Sequence, residues 1–291
     1  MRGMDEIFLI DKPKGMSSFG VVARVRRVLT EKMKECGRAS EVGKEERTGE
    51  GVKGGDFGVV KKQGRKRVKV GHAGTLDPFA TGLLIVLVGK ATKRSGEFLK
   101  LNKEYVAEVR LGEKSTTGDP EGEITESFRV LGEGERDEMG LGENEENVGN
   151  VGEGFCKEKV KRGKAPTREE VERAVRSFLG EVEQRVPAFS AVKIKGRRAY
   201  ELARKGVEVE MPVRKVKIYD IEVAEYEWPK LVVRAEVSSG TYMRTLGEDI
   251  GEKLGVGAYL TELRRTKIDK YSVEEAKGLE EFLREVEAKK R

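Results

Sequence analysis

The sequence predicts an α+β domain, because apolar residues at helical spacing and apolar residues at strand spacing both occur without a regular βαβ repeat. Apolar residues recur at helical spacing after Ser18 and after Thr167, whereas residues 83–88 form a continuous apolar run. Residues 105–111 alternate between apolar and polar side chains. This mixture favours a mixed, mostly antiparallel central sheet flanked by helices over a doubly wound parallel sheet.

The N-terminal half predicts one helix and two strands. Ser18 is a candidate N-cap for a helix with one apolar face. That face consists of Val21, Val22, Val25, Val28 and Leu29. The run LLIVLV, bounded by Gly82 and Gly89, predicts a buried strand, and residues 105–111 predict a strand with two different faces.

In the C-terminal half, Thr167 and Glu170 have the spacing of a capping box, and the helix that they begin is predicted to continue until Gly180. Its expected apolar face consists of Val171, Ala174, Val175, Phe178 and Leu179. The other predicted elements are helices at 198–205, 244–254 and 279–288 and strands at 213–223 and 231–237.

Two segments, residues 32–67 and 129–165, are rich in Gly, Lys and Glu and have no sustained apolar period. Such compositions bury too little apolar surface to offset the entropy of ordering, so both are interpreted as long flexible insertions. Without them the chain has the size of one compact domain. We therefore expect residues 1–291 to form a single domain.

Composition narrows the class of protein. The formal net charge of +6 and the pI near 9.1 suit a polyanionic partner, although solvated Lys and Glu on helix faces would give a similar charge. Cys36 and Cys156 lack metal-ligand spacing, and a single histidine makes a His-based zinc site or a Ser-His-Asp triad improbable. With no secretory signal pattern and no apolar run of membrane length, we expect a soluble cytoplasmic protein.

The string GHAGTLDPFATGLL, from Gly71 to Leu84, combines three glycines with the only histidine and an Asp-Pro pair. The glycines permit a tight loop, and Asp77 is biased to an extended conformation because a proline follows it. A loop anchored on a buried strand can hold a carboxylate in fixed geometry. From these residues alone, an aspartate that caps a turn is the alternative. Walker and dinucleotide-binding motifs are absent.

This string closely resembles the signature loop of the TruB family of tRNA pseudouridine-55 synthases. Four further segments resemble that family in the expected order. They are IDKPKGMSSFGVVARVRR (10–27), KEYVAEVRLGEKSTTGDPEGE (103–123), PAFSAVKIKGRRAYELARKG (187–206) and SSGTYMRTLGEDIGEKLGVGAYLTELRRTKI (238–268). The resemblance implies the pseudouridine-synthase catalytic fold and covers most of the chain outside the two insertions.

The resemblance implies an isomerase that converts uridine 55 of tRNA to pseudouridine, with Asp77 as the catalytic carboxylate. Whether Asp77 attacks the ribose or the base is left open. Tyr105 would stack on the uracil and assist removal of the C5 proton, and Arg244 would pair with the carboxylate of Asp77. Neither a cofactor nor a metal is implied.

The resemblance also assigns substrate-binding residues. His72 would enter the space that the flipped nucleotide leaves, and Gly74 and Thr75 belong to the same loop. Lys12 and Pro13 would support that loop from the N-terminal motif. Leu260 would line the uracil pocket.

The implied partner is the T-arm of tRNA, bound by a monomer after base flipping. Basic residues at 24–27, 193–198 and 264–267 are candidates for phosphate contacts. The basic end of the first insertion is a further candidate, with a tolerated surface loop as the alternative.

Two other functions remain open at this stage. One is the catalytic subunit of a guide-RNA-dependent H/ACA particle, which shares the Gly-His-x-Gly-Thr-Leu-Asp-Pro string. The other is an inactive RNA-binding or RNA-folding module. Many members of the TruB family carry a PUA domain after the catalytic core, but the residues after Tyr271 predict one helix only, so no C-terminal PUA domain is expected.

Overall fold

The computed structural model describes residues 5–42, 68–131, 160–194, 196–207 and 209–288, with the backbone alone for 35–42. Most of each predicted insertion, residues 43–67 and 132–159, lies outside the described residues. No helix in the described ranges combines the length and the apolar character that a membrane crossing requires.

The strands are β1 (Glu6–Lys12), β2 (Val70–Ala73), β3 (Thr81–Val88), β4 (Lys103–Leu111), β5 (Glu113–Ser115), β6 (Ile124–Glu126), β7 (Phe128–Val130), β8 (Lys161–Gly163), β9 (Gly180–Arg185), β10 (Lys193–Ile194), β11 (Arg197–Arg198), β12 (Val213–Glu227), β13 (Lys230–Val237), β14 (Ala258–Ile268), β15 (Tyr271–Ser272) and β16 (Lys277–Gly278). The α-helices are α1 (Ser18–Val42), α2 (Ser95–Leu99), α3 (Arg168–Arg176), α4 (Ala199–Ala203), α5 (Met243–Lys253) and α6 (Leu279–Ala288). Two 3-10 helices span Gly89–Arg94 and Val273–Glu275.

The chain divides into two compact units, of which the first contains Met1–Pro78, Gly82–Leu99 and Val273–Arg291. Its strands are mixed in direction, because β1 and β2 pair antiparallel with β3 whereas β16 pairs parallel with β1. All of β3 after Thr81 is buried, as the apolar run predicts. The first unit therefore holds its core on a strand that is apolar on both faces.

Helix α1 covers this sheet with the predicted apolar face, and all five of its members are buried. The helix continues to Val42, so the start of the first insertion at residue 32 was wrong. Residues 31–37 are rich in Glu, Lys and Met, which are good helix formers, and the absence of an apolar period there did not end the helix.

The predicted N-cap was wrong by one residue. The Ser17 hydroxyl accepts a hydrogen bond from the Gly20 N–H at 3.0 Å, as an N-cap side chain does. Ser18 is the first helical residue, and its hydroxyl contacts the backbone of Leu76 instead. Adjacent serines are equivalent cap candidates in a sequence, and only the long-range contact distinguishes them.

The second unit contains Phe79–Thr81 and Lys100–Ser272. Its main sheet has the order β14-β4-β13-β12-β9 with antiparallel neighbours throughout, and β15 pairs with β14. In β4 every second side chain is buried, from Lys103 through Tyr105 to Leu111. The predicted mixed, mostly antiparallel sheet with helices is confirmed, whereas the boundaries of a single domain stay a prediction.

Helix α3 begins with the predicted capping box. The Glu170 N–H donates to the Thr167 hydroxyl at 3.3 Å, and the Thr167 N–H donates to the Glu170 carboxylate at 2.7 Å. The helix ends at Arg176, so Leu179 lies beyond it and is 57% exposed. Its prediction as part of the buried face was therefore wrong.

The ends of the second predicted insertion are strands. β7 pairs in parallel with β8, so residues 129–130 and 161–163 belong to a small two-stranded sheet. The N–H of Leu131 also donates to the Gly163 carbonyl at 3.1 Å. The bounds 129 and 165 were therefore too wide, because charged residues in short exposed strands have no apolar alternation to reveal them.

Candidate active site

The loop that carries Asp77 connects β2 to β3 in the first unit. Gly74 has a φ of +96°, which L side chains rarely adopt, so the loop turns where the sequence places its second glycine. Leu76 is buried and Asp77 and Pro78 are half-buried. The carboxylate is therefore carried by backbone that is anchored in the core.

The backbone on both sides of Asp77 is bound to the N-terminal segment. The Leu76 N–H donates to the Ser18 hydroxyl at 2.8 Å, and that hydroxyl donates to the Leu76 carbonyl at 3.0 Å. On the other side, the Pro78 carbonyl accepts from the Gly15 N–H at 2.8 Å and from the Lys12 ammonium at 3.2 Å. We call these four hydrogen bonds the loop clamp.

Lys12 is fully buried, which is rare for a lysine and requires that its ammonium be hydrogen-bonded. Besides the Pro78 carbonyl, the ammonium donates to the carbonyls of Pro13 at 3.0 Å and Met16 at 2.5 Å. Its three N–H groups therefore reach three backbone carbonyls. This geometry suits the support of the loop, while Pro13 is exposed and accessible to a ligand.

The remaining first-unit candidates lie on or beside the same loop. His72 is half-buried in β2, opposite Val86 of β3. Thr75 is exposed directly before the buried Leu76. His72 thus lies near the end of β2, and Gly74, Thr75 and Asp77 lie in the loop that follows it.

Tyr105 lies on the buried face of β4 in the second unit, opposite Arg265 of β14. The Arg265 guanidinium donates to the Tyr105 hydroxyl at 3.5 Å, and its central carbon lies 6.0 Å from the ring centroid. Arg265 itself is only 1% exposed. The phenol is therefore oriented by a buried cation.

Lys103 lies two residues before Tyr105, on the same buried face of β4. Burial, and then the charge of Arg265, lower the pKa of Lys103 to about 8. Its ammonium donates to the Leu101 carbonyl. Lys103 and Arg265 give the surroundings of Tyr105 a positive charge.

Arg244 lies at the N-terminus of α5 and is 4% exposed. Its guanidinium lies 3.2 Å from the Asp119 carboxylate and donates to the carbonyls of Thr117 at 2.8 Å and Phe189 at 2.7 Å. The positive end of a helix dipole disfavours a cation, so these three acceptors compensate both the burial and the dipole.

Asp119 is held in turn by its own loop. Its carboxylate accepts from the Thr117 hydroxyl at 2.6 Å and from the Glu121 N–H at 3.0 Å. Gly118 has a φ of +72°, and a Cβ there would lie 2.6 Å from a carboxylate oxygen of Glu248. The Thr-Gly-Asp turn therefore needs a glycine for both conformation and space.

Two carboxyls on α5 follow Arg244. The pKa of Glu248 is raised to about 7, and burial is the largest cause. The charge of the nearby Arg244 acts in the opposite direction, whereas the charges of Asp249 and Asp119 add to the increase. Burial and then the charge of Glu252 raise the pKa of Asp249 to about 6. Both carboxyls thus titrate close to neutral pH.

Leu260 is fully buried in β14, opposite Val109, and packs against α5 where Gly247 leaves room for it. Its N–H donates to the Gly118 carbonyl at 3.1 Å. Leu263, opposite Ala107, lies closer to Tyr105 along β4. The backbone of Leu260 therefore ties β14 to the turn that carries Asp119.

Sequence reasoning overlooked several residues of these clusters. They are Ser18 as a clamp residue, Lys103, Asp119, Glu248 and Arg265. Asp119 carries a signal, since its Gly-Asp-Pro turn repeats the Asp-Pro pair of the Asp77 loop. Asp77 belongs to the first unit, and Tyr105, Arg244 and Leu260 belong to the second.

Comparison with known families gives two matches. The model of the TruB family pseudouridylate synthase N-terminal domain matches residues 61–141 and 136–243. The model of the tRNA pseudouridylate synthase B C-terminal domain matches residues 244–291.

Among curated proteins, tRNA pseudouridine synthase B of Aquifex aeolicus is 38% identical over 96% of this chain and 74% of its own length. The protein of the same name from Phocaeicola vulgatus is 35% identical over 95% of this chain and 91% of its own. A solved structure of a Cbf5-Nop10-Gar1 complex superposes with a TM-score of 0.55 at 26% identity. That match covers 96% of this chain but only 53% of the chain in the complex.

The family models and the curated relatives agree on one class of enzyme, the pseudouridine synthases. Within that class, the chain belongs to the TruB family.

Proposed function

We propose that this protein converts uridine 55 in the T-arm of tRNA to pseudouridine, with Asp77 as the reactive carboxylate. Membership of the TruB family makes the protein an isomerase that forms pseudouridine in tRNA. The curated relatives that match nearly the whole chain are named tRNA pseudouridine synthase B. The position within the tRNA, the role of Asp77 and action as a monomer are the finer parts of the proposal.

The reaction rearranges bonds within one nucleotide. The bond between uracil N1 and ribose C1′ breaks, the base turns, and C5 forms a new bond to C1′. The proton on C5 leaves and N1 ends protonated, so atoms and electrons balance without a redox step. A carboxylate suits this chemistry because it can form a bond to an electron-poor centre and then leave.

The loop clamp is the observation that carries the assignment of Asp77. Four hydrogen bonds fix the backbone of Leu76 and Pro78, the two neighbours of Asp77. A loop that needed only to turn would not require a fully buried lysine beneath it. Fixed geometry of this kind is what a reacting carboxylate requires.

The second unit supplies the proposed partners. Tyr105, oriented by Arg265, would stack on the flipped uracil and assist removal of the C5 proton. Arg244 would hold the Asp77 carboxylate ionised. Its orientation is preset by two carbonyls and one carboxylate, so it would lose little freedom when it engages a further acceptor.

The substrate must be flipped out of the T-arm before the reaction, which costs a few kcal/mol. In this proposal His72 occupies the vacated space, and Gly74 and Thr75 approach the extruded nucleotide. Pro13 lines the same entrance as an exposed residue beside the clamp.

The test is direct. Purified protein is incubated with an unmodified tRNA transcript, without guide RNA or cofactor, and pseudouridine is mapped by position. Asp77→Asn is assayed in parallel, with Asp220→Asn on the exposed face of β12 as the matched control. We expect pseudouridine at position 55 with the wild type and the control, and none with Asp77→Asn.

Other outcomes would count against the proposal. Product from Asp77→Asn would remove this carboxylate from the mechanism. Product only when a guide RNA is added would favour the H/ACA type of enzyme. Binding of tRNA without any product would favour an RNA-binding module.

A further inference from the structure

A cleft in the second unit lies outside the proposed active-site residues. It has a volume of about 430 Å³. Its walls are formed by one face of α3, by the C-terminal end of α5 and by the segment after β8. Its floor is apolar, with Phe128, Leu254 and Val256. Pockets of this size accommodate a small molecule or one unit of a polymer.

Three cations from three different elements line this cleft: Lys164, Arg173 and Lys253. All three are exposed. Within the described residues, none of them has a carboxylate within salt-bridge distance. By contrast, Arg168 and Arg176 on other faces of α3 pair with Glu172 at 2.9 and 3.9 Å.

Glu170 is the one acidic residue in the lining, and it forms no salt bridge with these cations among the described residues. The Glu170 carboxylate accepts the Thr167 N–H at 2.7 Å and is part of the capping box of α3. Residues 160–164, VKRGK, bring three basic residues and no acidic one to the segment that borders the cleft. The lining therefore carries three cations against one carboxylate, which is an excess of positive charge.

An aromatic ring stands in the same cleft in a fixed orientation. The ring of Phe128 packs edge-on against Trp228, with centroids 5.7 Å apart, and a Cβ on Gly163 would lie 3.1 Å from it. Phe128 remains partly exposed. Fixed aromatic rings beside Lys and Arg side chains are the features by which proteins hold single nucleotides of an RNA.

We propose that this cleft binds one nucleotide of the substrate RNA, with its phosphate between Lys164, Arg173 and Lys253 and its base or sugar against Phe128. The cations are exposed at an open rim, which suits a phosphodiester in a polymer better than an enclosed free anion. The inference rests on the proposed function, since it assumes that the substrate is an RNA. It adds an RNA-binding position that none of the active-site residues provides.

The experiment compares two double variants of the full-length protein with the wild type. Arg173→Ala/Lys253→Ala removes two cations of the cleft, and Arg214→Ala/Lys215→Ala removes two exposed cations of β12 as the matched control. Dissociation constants for labelled, unmodified tRNA are measured at several KCl concentrations. For each phosphate that a variant no longer neutralises, the slope of log K against log[salt] should fall by about 0.7–0.9.

We expect the cleft variant to bind roughly fivefold more weakly at moderate salt with a reduced slope, while the control keeps the wild-type slope. With saturating tRNA its kcat should equal that of the wild type, because the cleft holds RNA and does not touch the reacting atoms. Equal dissociation constants and slopes in the two double variants would overturn the proposal.

Inorganic phosphate serves as the second probe, titrated into each protein by calorimetry. Saturable phosphate binding that is absent from the cleft variant, together with an unchanged salt slope for tRNA, would identify a free-anion site and overturn the RNA proposal. A wild type that forms no pseudouridine would contradict the proposed function. A reduced slope in the cleft variant would even then support the cleft as an RNA site, so the two failures are distinguishable.

Discussion

Arg244 and Asp119 form an ion pair whose side chains are 4% and 5% exposed. Desolvation of two charges is costly, and a buried pair contributes little net stability compared with apolar residues. Removal of one partner is different, because the remaining charge keeps its desolvation cost without compensation. The pair is therefore better understood as a device that fixes the direction of the guanidinium.

Asp119→Asn should destabilise the protein by about 3–5 kcal/mol, because it leaves the buried guanidinium without its carboxylate. It should also lower kcat for pseudouridine formation more than it raises KM, since Arg244 loses its preset orientation. Urea unfolding and single-turnover assays measure the two effects. Asp220→Asn is the exposed control, and an unfolding free energy equal to that of this control would refute a buried ion pair.

Glu248 gives a prediction for pH. Its folded-state pKa is about 7 against an ordinary value of 4.5, so the folded protein holds this proton more tightly than the unfolded chain. The stability that the group contributes is complete below pH 4.5 and is lost as the pH rises through 7. Glu248→Gln should therefore match the wild type in acid and be more stable above pH 7.

Unfolding free energies of wild type and Glu248→Gln, measured from pH 4 to 8, check this difference. Glu201→Gln is a control, because Glu201 lies on a different helix, α4, and is exposed. A constant difference across this range would mean that Glu248 titrates normally in the folded protein.

At the scale of elements, contacts local in sequence were predictable. The capping box of α3 needs only Thr167 and Glu170, three residues apart, and the alternation of β4 needs only its own side chains. The choice between Ser17 and Ser18 as the cap failed because the partner of Ser18 is Leu76, 58 residues away. No local pattern contains that information.

Ser18→Ala tests the loop clamp as an element. It leaves the buried N–H and carbonyl of Leu76 without the hydroxyl, which should cost about 1–3 kcal/mol for each unsatisfied group. Since Leu76 precedes Asp77, kcat should fall as well. Ser17→Ala removes the actual cap at a cost of about 1 kcal/mol and should leave kcat unchanged.

Differential scanning calorimetry and pseudouridine formation with saturating tRNA separate the two serines. If both variants lose the same fraction of kcat, helix stability rather than the clamp governs the loop.

At the scale of the whole molecule, the resemblance identified the candidate residues but not what supports them. Arg244 was expected beside Asp77, and the structure adds the Asp119 carboxylate and the carbonyls of Thr117 and Phe189 as its acceptors. Thr117 and Phe189 lie 127 and 55 residues away from Arg244 along the chain. Such networks depend on tertiary packing, which periodicity and turn chemistry do not encode.

The return of the chain after the first insertion lies beside the middle of α1. The Val68 N–H donates to the Thr30 hydroxyl at 3.4 Å, twelve residues before the helix ends at Val42, so a short linker after residue 32 can reach residue 67. Replacing residues 33–66 with Gly-Ser-Gly should therefore shift Tm by less than about 4 °C, equivalent to about 1 kcal/mol. The two described side chains that this replacement removes, at 33 and 34, are exposed.

The same shortened chain tests whether the basic end of this insertion binds tRNA. Filter binding with tRNA should show a weaker complex and a smaller salt slope if it does. Unchanged affinity would leave the insertion as a tolerated surface loop. A large decrease in Tm would instead show that residues 33–66 contribute to the fold.

The loop clamp has a consequence for what the signature string means. GHAGTLDPFATGLL carries the carboxylate of Asp77. The side chains that immobilise the two neighbours of Asp77 belong to Ser18, which lies 58 residues before Leu76, and to Lys12, which lies 66 residues before Pro78. Transplanted into another hairpin, the string would deliver an aspartate on a mobile turn. Under the proposed mechanism, the correct placement of the carboxylate then depends on the folded first unit rather than on the motif, and turnover can serve as a sensitive reporter of whether the N-terminal strand and helix have docked.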